Sequence, residues 1–175
     1  KEDTNIILQN VDIINNDAYY GGGLAFKMNS SASFTNVSII GNIATQTYGD
    51  GGGIYCDQNA NLNFDNVIIS DNVAYHSGGG LYCMGSSTLS ISNSLIINNQ
   101  SDRDGAGLNI TENSIININN SNIEGNTIYN GTFGDGHGGG INLVDSNGVI
   151  LSSMIINNHT LDSQGGGIHL RDSNV

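Results

Sequence analysis

The chain lacks proline and tryptophan altogether, and its 175 residues include only four lysines and arginines and two cysteines. The shortage of cations excludes most. A sequence-independent grip on nucleic acid needs clustered Lys and Arg, whereas Lys1, Lys27, Arg103 and Arg171 are scattered through a chain of net charge −12. Nucleic acid is therefore excluded as a partner, and an anionic membrane surface is disfavoured for the same reason. No apolar run approaches the roughly 20 residues of a membrane span, so direct membrane insertion is not expected. The sequence opens at Lys1 without a signal-peptide pattern and reads as a processed or excised piece.

What abounds is glycine, at 25 residues, and asparagine, at 28. Both are poor helix formers, which argues against a helical bundle. The apolar residues are mostly Ile, Leu and Val, evenly spread, and are too numerous for a disordered chain. The length suffices for one domain with a core. The acidity suits solubility and leaves room for calcium.

Self-similarity organises the rest. A glycine triplet, once written Gly-Ala-Gly, ends at Gly23, Gly53, Gly80, Gly107, Gly140 and Gly167, with spacings of 30, 27, 27, 33 and 27. A unit of 27 with insertions of three and six accounts for all five. On that frame Leu24, Ile54, Leu81, Leu108, Ile141 and Ile168 form one apolar column, and Phe26, Cys56, Cys83, Ile110, Leu143 and Leu170 another. A third holds Leu8, Phe34, Phe64, Ile91, Ile118 and Leu151. An asparagine column follows at Asn10, Asn36, Asn66, Asn93 and Asn120, closing with Ser153. After Ile13, Ile39, Ile69, Ile96, Ile123 and Ile156 comes a second polar column, Asn16, Asn42, Asn72, Asn99 and Asn126, closing with His159.

Within each unit, apolar and polar positions alternate in three short runs, the period of a strand. Three strands and three corners in 27 residues make one coil of an all-β, single-stranded parallel β-helix, with coils about 4.8 Å apart. Right-handed coiling follows from the handedness of parallel crossovers. The columns become ladders, aliphatic inside and asparagine at two corners. A buried Asn amide in such a stack is satisfied by its copies above and below. Residues 1–175 read as one solenoid of about six coils, without evident caps. Either it continues in a longer repeat protein or such units stack end to end into filaments.

The repeats resemble those of the chlamydial polymorphic outer-membrane proteins and related β-helix surface proteins. The shared elements are the glycine run before an aliphatic residue and the Ile-x-x-Asn of Ile39–Asn42 and Ile69–Asn72, followed by Ala44 or Ala74. Glycine stands here for that family's alanine, and isoleucine for its phenylalanine. The resemblance implies a secreted or surface-displayed region with adhesive or structural roles, whose partners would be surface glycans or host and cell-surface proteins.

The glycine triplets do not read as a phosphate cradle, because they open a strand rather than a helix and no Lys-Ser/Thr follows. They read as tight corners. The first and third glycines are the expected positions of positive φ or close packing, since Ala106 replaces only the middle one. Cys56 and Cys83, 27 apart, occupy one inward column in adjacent coils. A disulfide and plain packing of two small apolar residues both remain open, and two thiols without a histidine are too few for zinc.

The loops before the glycines vary in length and carry Asp50, Asp104 and Asp135, which are weak calcium candidates or ordinary turn residues. Tyr48, Tyr75, Tyr129 and Phe133 lie in the same loops, and stack on sugars or pack the loops down. Asn-x-Ser/Thr occurs seven times. Asn36 and Asn99 fall in the inward columns, which leaves Asn29, Asn109, Asn119, Asn130 and Asn158 as the outward glycosylation candidates. The expected function is a non-catalytic extracellular structural or adhesive rod, without a cofactor. The alternative is a carbohydrate-binding or polysaccharide-degrading β-helix that uses the variable loops. It requires a groove of clustered carboxylates and exposed aromatics.

Overall fold

A computed structural model describes residues 5–129, 136–161 and 163–175. The third coil shows the plan: a strand Asn61–Ser70, a two-residue strand Val73–Ala74, then the glycine corner and a strand Leu81–Cys83. The other coils repeat it, with the long strand broken in two from the fourth coil on, first as Thr88–Ser92 and Leu95–Ile97. The long strand pairs in parallel with its copies in a nine-stranded first sheet, and the two short ones pair in two six-stranded sheets. The three sheets wall a core in which Phe34, Phe64, Ile39, Ile69, Ile54 and Leu81 are essentially inaccessible. The Phe34 and Phe64 rings stack with centroids 4.5 Å apart. Register is kept by alternation: one residue of slip would turn each coil's apolar side chains to solvent.

The asparagine columns differ from each other. The second is buried: Asn42, Asn72, Asn99 and Asn126 are fully inaccessible. Each uses its whole amide. Asn72 Nδ2 donates to Ile39 O at 2.9 Å and to Asn99 Oδ1 at 2.9 Å, and its backbone N–H reaches the same Oδ1 at 3.1 Å. The first column, expected inside, lies at the surface. Asn10, Asn36, Asn66, Asn93 and Asn120 are exposed and all adopt φ between 49° and 55°. This left-handed residue bends the first sheet in the middle of its strand, and Asn tolerates the conformation best after Gly. Its side chains still form a ladder, Asn36 Nδ2 to Asn10 Oδ1 at 3.0 Å and Asn66 Nδ2 to Asn36 Oδ1 at 2.7 Å.

The sixth coil corrects the column assignment. Ile123 pairs with Ile155, and Ile118 with Ile150, so Ile156 and Leu151 face outward. The buried ladder continues through Asn158, whose Oδ1 accepts from the Asn126 N–H at 3.0 Å, and not through His159. The bend residue is Ser152, with φ 49°, not Ser153. The cause is a shortened corner. Earlier coils turn there on two successive left-handed residues, such as Gln58–Asn59 and Glu112–Asn113, whereas this one uses Asp145 alone. Glycine spacing hides the deletion, because the following loop is longer by one residue.

Two serine ladders accompany the asparagines. Backbone N–H groups of Ala60, Ser87, Ser114 and Ser146 donate to the Oγ of Ser87, Ser114, Ser146 and Ser173 in the next coil. Val67, Ser94 and Ser121 do the same to Ser94, Ser121 and Ser153.

The first and third triplet glycines take the expected places, but the middle one is packed as closely: a Cβ on Gly52 would lie 2.4 Å from Gly79 O. The first of each triplet, Gly51 and Gly78 among them, has positive φ, 68° and 69°. The third is a contact point between coils: a Cβ on Gly80 would lie 2.6 Å from Gly107 O.

Candidate functional site

The variable corner is held together by side chains that run from coil to coil. Asp50, Ser77, Asp104 and His137 occupy equivalent places three residues before the last glycine. Asp50 Oδ1 accepts the Ser77 N–H at 3.1 Å and His76 Nδ1 at 2.7 Å. Asp104 Oδ1 accepts the His137 N–H at 2.9 Å and His137 Nδ1 at 3.2 Å. Both carboxylates therefore serve as rungs. Ser77, standing between them, donates its place to the same ladder: its Oγ accepts the Asp104 N–H. With His76 Nδ1 donating to Asp50, its Nε2 accepts from Arg103 Nη1 at 3.3 Å.

This His76–Arg103 contact forms a wall with a cleft on each side. The first cleft lies on the outer face of the third sheet and measures about 340 Å³; Arg103, Asp104, His137, Asn142, His169 and Arg171 line it. It runs on into a space of about 310 Å³ bordered by Tyr82, Glu112 and Asp145. His169 is fixed on the strand Ile168–Arg171 opposite Asn142. Asn142 Nδ2 donates to Asn109 Oδ1, so Asn142 Oδ1 is left to accept from His169 Nδ1 at 2.7 Å. His137 and His169 then meet with ring centroids 4.4 Å apart. Burial lowers the His169 pKa below its ordinary value, and the neighbouring His137 and Arg171 add to that against the opposite pull of Asp104.

The second cleft, about 340 Å³, lies on the loop side and is lined by Thr47, Tyr48, His76, Asp102 and Arg103. Thr47 and Tyr48 form the tip of a turn closed by Gly49 N–H to Gln46 O. Tyr48 meets the His76 ring edge-on at 5.8 Å and is 62% exposed.

Away from the loops, the outer face of the third sheet is aromatic. Tyr55 lies parallel to Tyr82 at 5.7 Å and against Tyr20 at 5.0 Å, and the Lys27 ammonium stands about 5 Å from the Tyr20 and Tyr55 rings. Burial, with the charge of Asp50 beside it, pushes the Tyr82 hydroxyl up to about 12.

The other sequence candidates fall as follows. Cys56 and Cys83 are opposed in register, Cα atoms 4.7 Å apart, and their sulfurs are bonded within the core. Asn29 and Asn119 are exposed. Asn109 and Asn158 do not face outward: Asn109 is 3% exposed and bonded to Asn142, and Asn158 is a ladder residue donating to Ile123 O. A glycan on either would break those contacts. Asn130, Phe133 and Asp135 lie outside the described residues. Among the described residues no three His, Cys, Asp or Glu side chains converge as a metal cage, and Asp50 and Asp104 spend one oxygen each on the ladder.

The grouping of His76, His137 and His169 corresponds to no contiguous motif in the chain. The signal available was positional: His76 and His137 stand four and three residues before their last glycines, and His169 two after, which stacks them along one edge.

Residues 1–123 match the family model described as the right-handed beta helix region. No curated protein and no solved structure matches the chain.

Proposed function

The chain belongs to the right-handed β-helix family, and on that premise we propose that it is an exported, non-catalytic adhesive rod that holds an anionic glycan in the cleft of its third sheet. One observation carries the reading. In a chain of net charge −12, two of the four Lys and Arg residues and two of the four histidines line a single cleft. Burial is the main cause of the lowered His169 pKa, with His137 and Arg171 adding to it, and a bound oxyanion would offset the contribution of those neighbours. Arginine suits carboxylate and sulfate by its forked donors.

Three further features support the reading. The buried Cys56–Cys83 bond fits an oxidising, extracellular setting. The glycine and Ile-x-x-Asn elements resemble those of surface-displayed adhesins. Binding fits better than hydrolysis because Asp50 and Asp104 each lock a histidine and a backbone N–H, and do not stand as a free acid–base pair.

The test is a glycan array probed with the whole chain. Retention of sulfated or carboxylated glycans, weakening with salt and lost in Arg171→Gln, is expected. Retention of neutral glycans alone, or of none, overturns the reading.

A further inference from the structure

We propose that anion binding in the sheet-side cleft is switched on by acid, with His169 as the residue that takes the proton. The inference rests on the glycan-binding reading above and adds the regulation of that same site.

The first argument is the hydrogen-bond chain that holds the imidazole. Asn109 Oδ1 accepts from Asn142 Nδ2, so Asn142 Oδ1 is turned to accept from His169 Nδ1 at 2.7 Å. The Nδ1 proton is therefore committed in both charge states, and any change of protonation falls on Nε2. As a neutral ring, His169 offers a lone pair at Nε2, which opposes an oxyanion. With the second proton, the same atom becomes a charged donor. The strand Ile168–Arg171 pairs in register with the strand that carries Asn142. The change thus lies in one proton and needs no movement of the backbone.

The second is the balance of charge. His169 is faced by His137 and Asp104 from the glycine corner, by Arg171 from its own strand and by Arg103 from the loop before Gly105. Glu112 and Asp145 border the adjoining space, together with His76. With the histidines neutral, two arginines stand against three carboxylates, a formal charge of −1. One proton on His169 cancels that excess, and a second on His137 reverses it. The sign of the lining therefore turns over in the pH range where imidazoles titrate.

The third is linkage. Burial, His137 and Arg171 hold His169 in its neutral form at neutral pH, against the opposite pull of Asp104. An anion beside the ring favours the protonated form. Proton and anion then raise each other's affinity by one common factor, so anion affinity rises as pH falls.

The probe is inorganic sulfate, which stays ionised throughout, so that only the protein titrates. It is added to the whole chain at constant ionic strength, and the histidine ring protons are followed by NMR at about pH 5 and about pH 7.5. The His169 signals are assigned from His169→Asn. Sulfate is expected to bind about fivefold or more tightly at the lower pH, the small end of a coupling between two ligands. It is also expected to raise the pH at which His169 titrates. Arg171→Gln weakens binding at both pH values, and His169→Asn removes most of the difference between them; both variants are checked for native melting temperature. Equal affinity at the two pH values, an unmoved His169 titration in the unaltered chain, or a pH dependence that persists in His169→Asn overturns the switch. Array retention of anionic glycans that is indifferent to pH but lost in Arg171→Gln leaves the glycan reading standing and removes the switch alone. Sulfate coupled to His169 without any glycan retained does the reverse.

Discussion

Asn99 Oδ1 accepts two hydrogen bonds from Asn72, one from its side-chain amide and one from its backbone N–H. Neither residue is accessible to water. The rung therefore joins successive coils at a place where no solvent can substitute for a lost partner. Asn99→Ala strands both Asn72 donors and frees Ile69 O, a loss of about 3 kcal/mol or more at roughly 1–3 per unsatisfied buried group. Asn93→Gly, at the exposed ladder, keeps the left-handed bend without strain, has water to take over the lost bonds and costs about 1 kcal/mol or less. Urea unfolding of the two variants separates them; equal losses contradict the distinction between the columns.

The two coils nearest Phe34 and Phe64 are also joined covalently. Cys56–Cys83 closes a span of 27 residues, for which a cross-link contributes about 3 kcal/mol by limiting the unfolded chain. The paired Cys56→Ala and Cys83→Ala variant is expected to lose stability on that scale in chemical denaturation. Because the sulfurs are buried, a mild reductant leaves the native protein's melting curve unchanged until unfolding exposes them. Rapid reduction of the folded chain, followed by mass spectrometry of alkylated thiols, would contradict their burial.

Gly80 and its neighbour Gly79 are both closely packed. Alanine at Gly80 drives a Cβ against Gly107 O and the Asn99 amide, so it spreads two coils and disturbs the buried ladder together. We expect more than about 4 kcal/mol, the extreme of single substitutions. At the middle position a Cβ on Gly79 would lie 2.3 Å from Gln100 O and 2.6 Å from Ala106 O, so Gly79→Ala is expected to cost as much, more than about 4 kcal/mol, although the next coil accommodates Ala106 there. Thermal melts of both variants check this; a small loss in either would contradict the close packing.

Stability falls at both ends of the pH scale. Burial holds the Tyr82 hydroxyl up at about 12 in the folded chain, against the ordinary 10.0 of an unfolded one. Its contribution is complete below pH 10 and is lost as pH rises from there through 12. His169 acts in the opposite sense. Its folded pKa lies below the ordinary 6.5, so the unfolded chain takes the proton first, and stability declines as pH falls below 6.5. His169→Asn, which keeps a donor for Asn142, flattens the acid limb. An unchanged acid limb in that variant would remove His169 from the account.

The fold was legible because each coil repeats a pattern with one meaning. Ile-x-x-Asn reads directly as an inward aliphatic followed by a ladder amide, and Ile39–Asn42 and Ile69–Asn72 take those places. The slip at Ile155 and Asn158 had a physical cause. One left-handed residue can turn a corner usually made by two, and the following loop restores the glycine spacing, so the count alone conceals the change. "IIN" at Ile155–Asn157 offers an aliphatic in either register. Which asparagine column lay inside was equally hidden, because both stack and both bond along the axis. The site was the least legible part. Asp50 and Asp104 stood out as acids, but their histidine partners come from the adjacent coil and only the three-dimensional stacking joins them.

Glycan binding without cleavage is the central claim, and one measurement addresses both halves of it. An anionic oligosaccharide retained on the array is titrated into the whole chain by calorimetry, and the recovered ligand is then weighed by mass spectrometry. The account predicts saturable binding that Arg171→Gln abolishes, with the ligand returned at its starting mass. Shortened products, or heat unaffected by Arg171→Gln, would contradict it.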